Sequence, residues 1–430
     1  MRDLFNFSKE NFMLDKKKNY VYMFILAFCS SSVLLFFNYM NNDSYKVVSI
    51  GGSFFSENNA NLFVMMVGLI MILAIGGLMY VISNTFLKQK NKEIAILHLS
   101  GVNLVRISVY FLMQITLVLI KAIPLGIVLF IIMNPIFNGI ISLTTGATIP
   151  LFYISSEAVV SGLMVIGIVI VTLAIAAVGF AYQSELIDLL SGPSKNSKPL
   201  PVSHIRMPKI VWWLLYAAAI YGVTTVSGQS RALCFMCGLG AIALNKIIKK
   251  ALSKVFLLIR TKFCVNKKES MIAIGRASDL IVSLCGYICI TFMAMTFLMA
   301  FMIETMNDTK IFSILCMSYF IIIVLMNLAL FYRNLIETPN QMQQFRTLYY
   351  LGFQRKQLNK INRLELFILF IMMIISPIIF GGMMIVTNLS FMPVSMGLSL
   401  LCFSVLCTII SLIATYYYRK RLLMKEGALS

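Results

Sequence analysis

The chain has 430 residues, of which 60% are hydrophobic and 12% charged, with a mean hydropathy of +0.89. An ordinary soluble domain holds about 25% charged residues, so packing in water would leave much of this apolar surface uncovered, and a soluble globular domain is excluded. The surplus of 36 Lys+Arg over 16 Asp+Glu, a net charge of +20, would suit nucleic acid, but the placement of the basic residues gives it another meaning.

Crossing the hydrocarbon core of a bilayer takes about 20 mostly apolar residues. Candidate spans lie near 20–40, 61–84, 107–133, 157–182, 210–226, 231–248, 280–303, 311–332, 365–387 and 394–417, the fifth and sixth being short and tightly linked. A helix satisfies its own backbone in lipid, so the expected fold is an all-α integral membrane protein of about ten transmembrane helices. With this count Lys46, Arg231 and Lys310 fall outside, Lys121 falls within a span, and all other Lys and Arg fall on one side. Positive charge marks the cytoplasmic side, so both termini are expected in the cytoplasm, and nucleic acid is not expected as a partner. The basic segments can touch the headgroups of membrane lipids. The first apolar run is long and has no small-residue cleavage site after it, which reads as a signal anchor.

In chain order, residues 1–19 mix apolar residues with lysine and end in Lys16, Lys17 and Lys18, which suits an amphipathic helix on the inner membrane face; residues 262–276 have the same character. The outer loops, about 41–60, 134–156, 227–230, 304–310 and 388–393, are all short, and the longer basic segments lie inside. After the second span the chain reads KQKNKEIAILHLSG (88–101), and after the eighth NQMQQFRTLYYLG (340–352). A shift of 251 residues puts Leu97 on Leu348 and Gly101 on Gly352. Each segment sets apolar residues (Ile94, Ile96 and Leu97; Phe345, Leu348 and Tyr349) near one side of a short helix, and the glycines suit a left-handed C-terminal cap. Such a helix between two spans is either a surface a cytoplasmic partner pushes against or one that only rests at the headgroups.

The organisation that follows is a first four-helix half at 1–182 with its N-terminal amphipathic helix, a linker at 183–209 containing Gly192 and Pro193, a two-helix insert at 210–248, and a second four-helix half at 249–430. No phosphate-cradling loop and no catalytic constellation is evident, so no enzyme activity and no cofactor is expected of this chain. Cys234 and Cys237, inside an apolar helix, read as small buried hydrophobes, and no metal site is expected. Lys121, the one clear ionisable residue deep in a span, either lines a polar path or snorkels outward. Gln114, seven residues earlier, would share its surroundings. Pro124 and Pro377 would kink the third span of each half.

The opening FNFSKENFMLDKKKNY (5–20), leading into SSSVLLFF (30–37), resembles that of bacitracin-export permeases. These are bacterial members of the FtsX-like (MacB-type) ABC transporter permeases. The stretch FLKQKNKEIAILHLSG (86–101) is similar to that family's signature after its second span, with Lys92, Glu93, Ile96, Leu97 and Gly101 on signature positions. The four-two-four layout fits as well. The resemblance implies a permease subunit in the bacterial cytoplasmic membrane that couples ATP hydrolysis, in a separate dimeric cytoplasmic ATPase holding ATP and Mg, to export or extraction of an amphipathic antimicrobial peptide or a lipid-like molecule. It places ATPase docking at 85–104 and 336–354, with Gln344, Phe345, Leu348 and Gly352 in the second segment. Bacitracin-type permeases carry a large extracellular domain between the seventh and eighth spans, and here only Glu304 to Lys310 occupies that place. A transducer signalling to a sensor kinase, wall enzyme or accessory outer protein remains an alternative, as does an ion-coupled transporter without an ATPase.

Overall fold

The computed structural model describes residues 8, 10, 16–40, 59–90, 97, 100–145, 150–183, 209–226, 230–263, 268–306 and 309–426. These residues are helical with connecting turns. The helices are α1 (Lys16–Met40), α2 (Asn59–Gln89), α3 (Leu104–Thr145), α4 (Ser156–Gln183), α5 (Lys209–Thr225), α6 (Ser230–Ile247), a π-helical turn at Ile248–Leu252, α7 (Ser253–Phe263), α8 (Lys268–Ser283), α9 (Cys285–Glu304), α10 (Thr309–Tyr350), α11 (Arg355–Thr387) and α12 (Val394–Glu426). Nine of the described helices are long and apolar enough to cross a membrane, and α5 is apolar but shorter. Among the described residues no strand occurs, and the architecture is that of an all-helical, multi-pass membrane protein. It divides into two compact units, Met1–Ile205 and Arg206–Ser430, and the α5–α6 hairpin belongs to the second.

In the first unit, α1 is the central element and packs against α2, α3 and α4. Small residues set these contacts. A Cβ on Gly126 of α3 would lie 2.0 Å from Ser30 Oγ and 2.7 Å from the Ala27 carbonyl oxygen. One on Gly162 of α4 would lie 2.8 Å from Leu34 Cδ2. Lipid tails are as apolar as leucine, so helices in lipid associate by such close packing and by internal hydrogen bonds. The bonds gather at one end. Asn38 Nδ2 donates to Asn134 Oδ1 (2.8 Å) and to the Tyr153 carbonyl (3.2 Å), Asn134 Nδ2 donates to the same carbonyl (2.9 Å), and the Ser155 amide donates to Asn38 Oδ1 (3.0 Å). Nearer the other end of α1, Tyr22 shares a 2.7 Å hydrogen bond with Ser83 and stacks on Phe86 with ring centroids 4.5 Å apart.

The second unit is built around α9, most of which is buried, whereas most of α4 in the first unit is not. It packs against α6, α10 and α11, while α12 covers α10 and α11. Gly240 of α6 and Gly381 of α11 admit Phe380 and Leu401 at distances a Cβ would not allow.

Four expectations change. The outer loop at 134–156 is shorter, because α3 continues to Thr145 through Asn134, Pro135 and Gly139. The loop-forming residues stay helical because Asn134, Asn138 and Ile141 are buried, where their packing and hydrogen bonds outweigh weak intrinsic propensity. The inner segment at 333–364 is mostly the end of α10, one 42-residue helix that runs through Pro339 to Tyr350, so its polar helix is an extension of the span and not a separate element. The amphipathic segment at 262–276 is split between α7 and α8. The apolar face of α8 (Ala273, Ile274, Ala277, Leu280 and Ile281) is buried against protein, chiefly α11, and not laid on the bilayer. Finally, Gln114 and Lys121 do not share surroundings. The buried strip of α3 advances in steps of four from Ala122 through Gly126, Phe130, Asn134 and Asn138. Four residues overshoot a full turn, so the strip drifts around the helix and leaves Lys121 exposed beside it. Residues 1–7, 11–15, most of 91–99 and the 184–208 stretch of the linker lie outside the described residues, and with them the N-terminal amphipathic helix, Lys92, Glu93, Ile96 and most of the linker.

Candidate functional site

The two segments singled out by the 251-residue shift form the same backbone turn. The Val102 amide donates to the Leu97 carbonyl at 3.1 Å, and the Phe353 amide to the Leu348 carbonyl at 3.2 Å. Gly101 has φ +79° and Gly352 φ +91°. Both occupy the left-handed region where only glycine is free of steric cost. The next helix then starts alike on each side. The Arg106 and Ile107 amides donate to the Asn103 carbonyl at 2.9 and 3.1 Å, and those of Gln357 and Leu358 to the Gln354 carbonyl at 3.0 Å each. A reciprocal side-chain cap between Gln354 and Gln357 further fixes the second start.

The correspondence runs on into α3 and α11. Ile107, Tyr110, Phe111, Gln114, Ile115, Val118, Ala122 and Gly126 are buried, and so are Leu358, Ile361, Asn362, Glu365, Leu366, Leu369, Met373 and Pro377 at the same shift. In both helices the strip that packs inward begins at the glycine turn and follows the same phase.

Around the second turn, Phe345 is 1% exposed and packs with Met342, Ala273, Leu358 and Ile361, with Leu348 and Phe353 at the edge of that cluster. Phe345 is therefore part of the seat of the turn and not of its surface. The surface is made by Gln343, Gln344, Thr347 and Tyr349, with two residues the sequence reading did not select: Tyr350 (79% exposed) and Leu351 (71% exposed). In the first turn Leu97 is buried and Ser100 Oγ donates to its carbonyl at 2.9 Å.

Above the Phe345 cluster lies a group of charges. Glu365 of α11 is fully buried and accepts from Arg276 Nε of α8 on one oxygen (2.8 Å) and from Arg419 Nη1 of α12 on the other (2.9 Å). Arg419 also approaches Asn362 Oδ1 at 3.4 Å. The Arg276 guanidinium stands 3.9 Å from the centre of the Phe345 ring, a cation–π contact. One carboxylate thus ties together α8, α11 and α12, and through Phe345 it touches α10. Two guanidinium charges on one carboxylate leave donors over, and Nη1 and Nη2 of Arg276, with Nε and Nη2 of Arg419, have no hydrogen-bond partner among the described residues. Within α10 itself, Arg333 Nε donates to Glu337 Oε1 at 3.1 Å.

The sequence reading missed this group because its members are 54 and 89 residues apart. One signal was available: Gln114, chosen for its polarity within a span, maps onto Glu365 at the same 251-residue shift. Gln114 itself is fully buried and donates from Nε2 to Tyr110 Oη at 2.8 Å. A crevice of about 10 Å³, room for about one water, opens in the second unit among Thr291, Asn327, Pro377, Ser404 and Thr408. Neither Gln114 nor Lys121 lines it. No three His, Cys, Asp or Glu side chains among the described residues converge as metal ligands.

No protein-family model matches the chain, and no curated protein matches it. What the fold itself defines is the class: a multi-pass helical membrane protein with two alike glycine-capped turns between long helices.

Proposed function

We propose that the chain is the membrane-spanning permease subunit of an ABC transporter complex in a bacterial plasma membrane, with both termini and both glycine turns in the cytoplasm. A separate ATPase, binding ATP and Mg, docks on the turns. Its closure moves α2 with α3 and α10 with α11, and so drives export or extraction of an amphipathic peptide or lipid-like molecule. The observation that carries this reading is the matched pair of turns. Each joins two long apolar helices, and each is fixed at the glycine, the cap and the start of the following helix. Two such handles suit a partner that is itself a dimer. On the second turn the docking contacts are Gln344, Tyr349, Tyr350 and Leu351, with Phe345 and Leu348 transmitting force inward to Arg276 and Glu365.

The test is a pull-down of the detergent-solubilised chain from its host, with mass spectrometry of what accompanies it. A stoichiometric ABC ATPase is expected. Leu97→Asp and the double variant Tyr350→Ala/Leu351→Ala should each lose that partner, or its ATP turnover, while still inserting. Normal ATPase binding and turnover in both would remove the turns from the docking site. An accompanying sensor kinase or wall hydrolase, with no measurable export, would favour a transducer that moves no substrate.

A further inference from the structure

A second surface stands apart from the turns. Between Lys246 and Lys268 the sequence carries eight Lys or Arg and no Asp or Glu. The structure makes most of this stretch helical without a break from α6 through the π-helical turn to the end of α7. The helix from Ser230 to Phe263 measures about 50 Å, against about 30 Å of hydrocarbon, so one end must leave the lipid core.

Where it leaves is marked. Both tryptophans of the chain, Trp212 and Trp213, sit in the first turn of α5, and Lys246 Nζ lies 5.9 Å from the centre of the Trp212 ring. Tryptophan collects at the level of the headgroups. Lys249 and Lys250 follow within one turn, and α7 begins directly after them.

One side of α7 is occupied. Leu252 at the end of the π-helical turn and Phe256 are buried, α8 packs alongside, and the Arg260 guanidinium comes close enough to Gly275 of α8 that a Cβ there would meet its Nη1 at 3.4 Å. The other side alternates charge and apolar bulk. Lys254 and Lys262 are exposed, and between them Leu257 and Leu258 are 61% and 56% exposed. A helix whose free face mixes leucine with lysine, starting at the headgroup level, matches the boundary between acyl chains and phosphates. There leucine enters the acyl region and lysine reaches up to the charge.

We propose that the π-helical turn and α7 form a docking surface for anionic phospholipid, with Lys249, Lys250, Lys254 and Lys262 on the phosphates and Leu257 and Leu258 among the acyl chains. This does not rest on the permease assignment and can fail or succeed without it. The occupant is a lipid surface and not an acidic protein, because the charges are interleaved with leucines and continue directly from a membrane span.

The experiment is native mass spectrometry of the full purified chain, titrated with phosphatidylglycerol or phosphatidylcholine. The wild type should hold phosphatidylglycerol in preference. Each basic residue at a membrane surface contributes appreciably to such binding, so changing all four lysines to Gln should weaken it at least roughly tenfold. Changing the same four to Arg should keep it, which also shows that loss in the Gln variant is not a folding failure. A control removing four basic residues elsewhere (Lys356, Arg363, Lys420 and Arg421) should keep it too. Equal retention of both lipids by the wild type, or an equal loss in the control, would overturn the proposal. Independently, a photo-crosslinking residue at 258 should form a lipid adduct in nanodiscs containing phosphatidylglycerol; the absence of that adduct would remove α7 from the lipid.

Discussion

The turns at Leu97–Ile107 and Leu348–Leu358 have one backbone and different foundations. In the first unit the helix that follows the turn holds a neutral amide, Gln114, whose Nε2 donates locally to Tyr110 Oη. In the second the corresponding position holds Glu365, satisfied by arginines from two other helices. The glycine turn is thus a local structure that either half can build from its own residues. What lies behind it is not local, and among the described residues it is the second half that connects its turn by charge to two further helices, α8 and α12. If an ATPase pushes on both, the second handle moves a tied assembly and the first moves its own pair of helices.

The largest test of that difference replaces Glu365 by Gln, the residue the first half uses. Two buried guanidinium groups would lose the carboxylate they share, and breaking such a pair from one side costs about 3–5 kcal/mol. A strong drop in thermal stability in detergent is expected, largely recovered when Arg276 and Arg419 are changed to Leu in the same chain. A variant E365Q as stable as the wild type would show that the charges do not bind the second unit together.

Next in size is Gly126→Ala. Its Cβ would meet the Ala27 carbonyl oxygen at 2.7 Å, and that atom belongs to backbone. Overpacking of this kind costs about 1–3 kcal/mol. The corresponding residue of α11 is Pro377, at the crevice, and Pro377→Ala should be better tolerated. Comparing the yields of folded protein decides it; equal tolerance at the two sites would mean that α1 can shift away from α3.

Smaller, and equal in the two halves, is the effect of Gly101→Ala and Gly352→Ala. A side chain at positive φ costs about 1–2 kcal/mol, and among the described residues neither glycine has a neighbour within 4 Å to add a clash. Hydrogen exchange of the Val102 and Phe353 amides should rise by similar factors. A much larger rise at Phe353 would mean that the Phe345 cluster depends on the turn. The smallest effect belongs to Lys121→Met, which installs the corresponding residue, Met372. Lys121 is exposed on α3, and exposed substitutions fall within about 0.5 kcal/mol. A large loss of stability would show a role that its exposure hides.

The spans were legible because apolar length is a property of a continuous stretch. The two turns were legible because glycine at a helix end answers a backbone requirement. What escaped falls into two kinds. Helix ends were placed too early where Asn134, Pro135 and Pro339 signal a loop, since burial against neighbouring helices decides such segments and propensity does not. The Arg276–Glu365–Arg419 group escaped because each member, taken alone, sits where a basic or acidic residue at a span's end is ordinary. Only the packing of α8, α11 and α12 makes them neighbours. The apolar pattern at 262–276 was read as a face for the bilayer, but most of it belongs to α8, whose apolar residues are covered by protein.

The amide cluster at Asn38 also bears on how the chain is made. Asn38 lies at the end of α1, and the Ser155 amide that donates to it is 117 residues further on. At about 5–20 residues per second, the ribosome delivers that partner roughly 6–23 s after Asn38. For most of that interval α1 carries an amide whose native partners do not yet exist, the first of them, Asn134, being 96 residues further on. A helix with such a group must be held at a polar place, such as the insertion machinery, until α3 and the head of α4 arrive. The amide cluster of the first unit is therefore completed only when the head of α4 arrives, whereas the Tyr22–Ser83 bond between α1 and α2 needs no later helix.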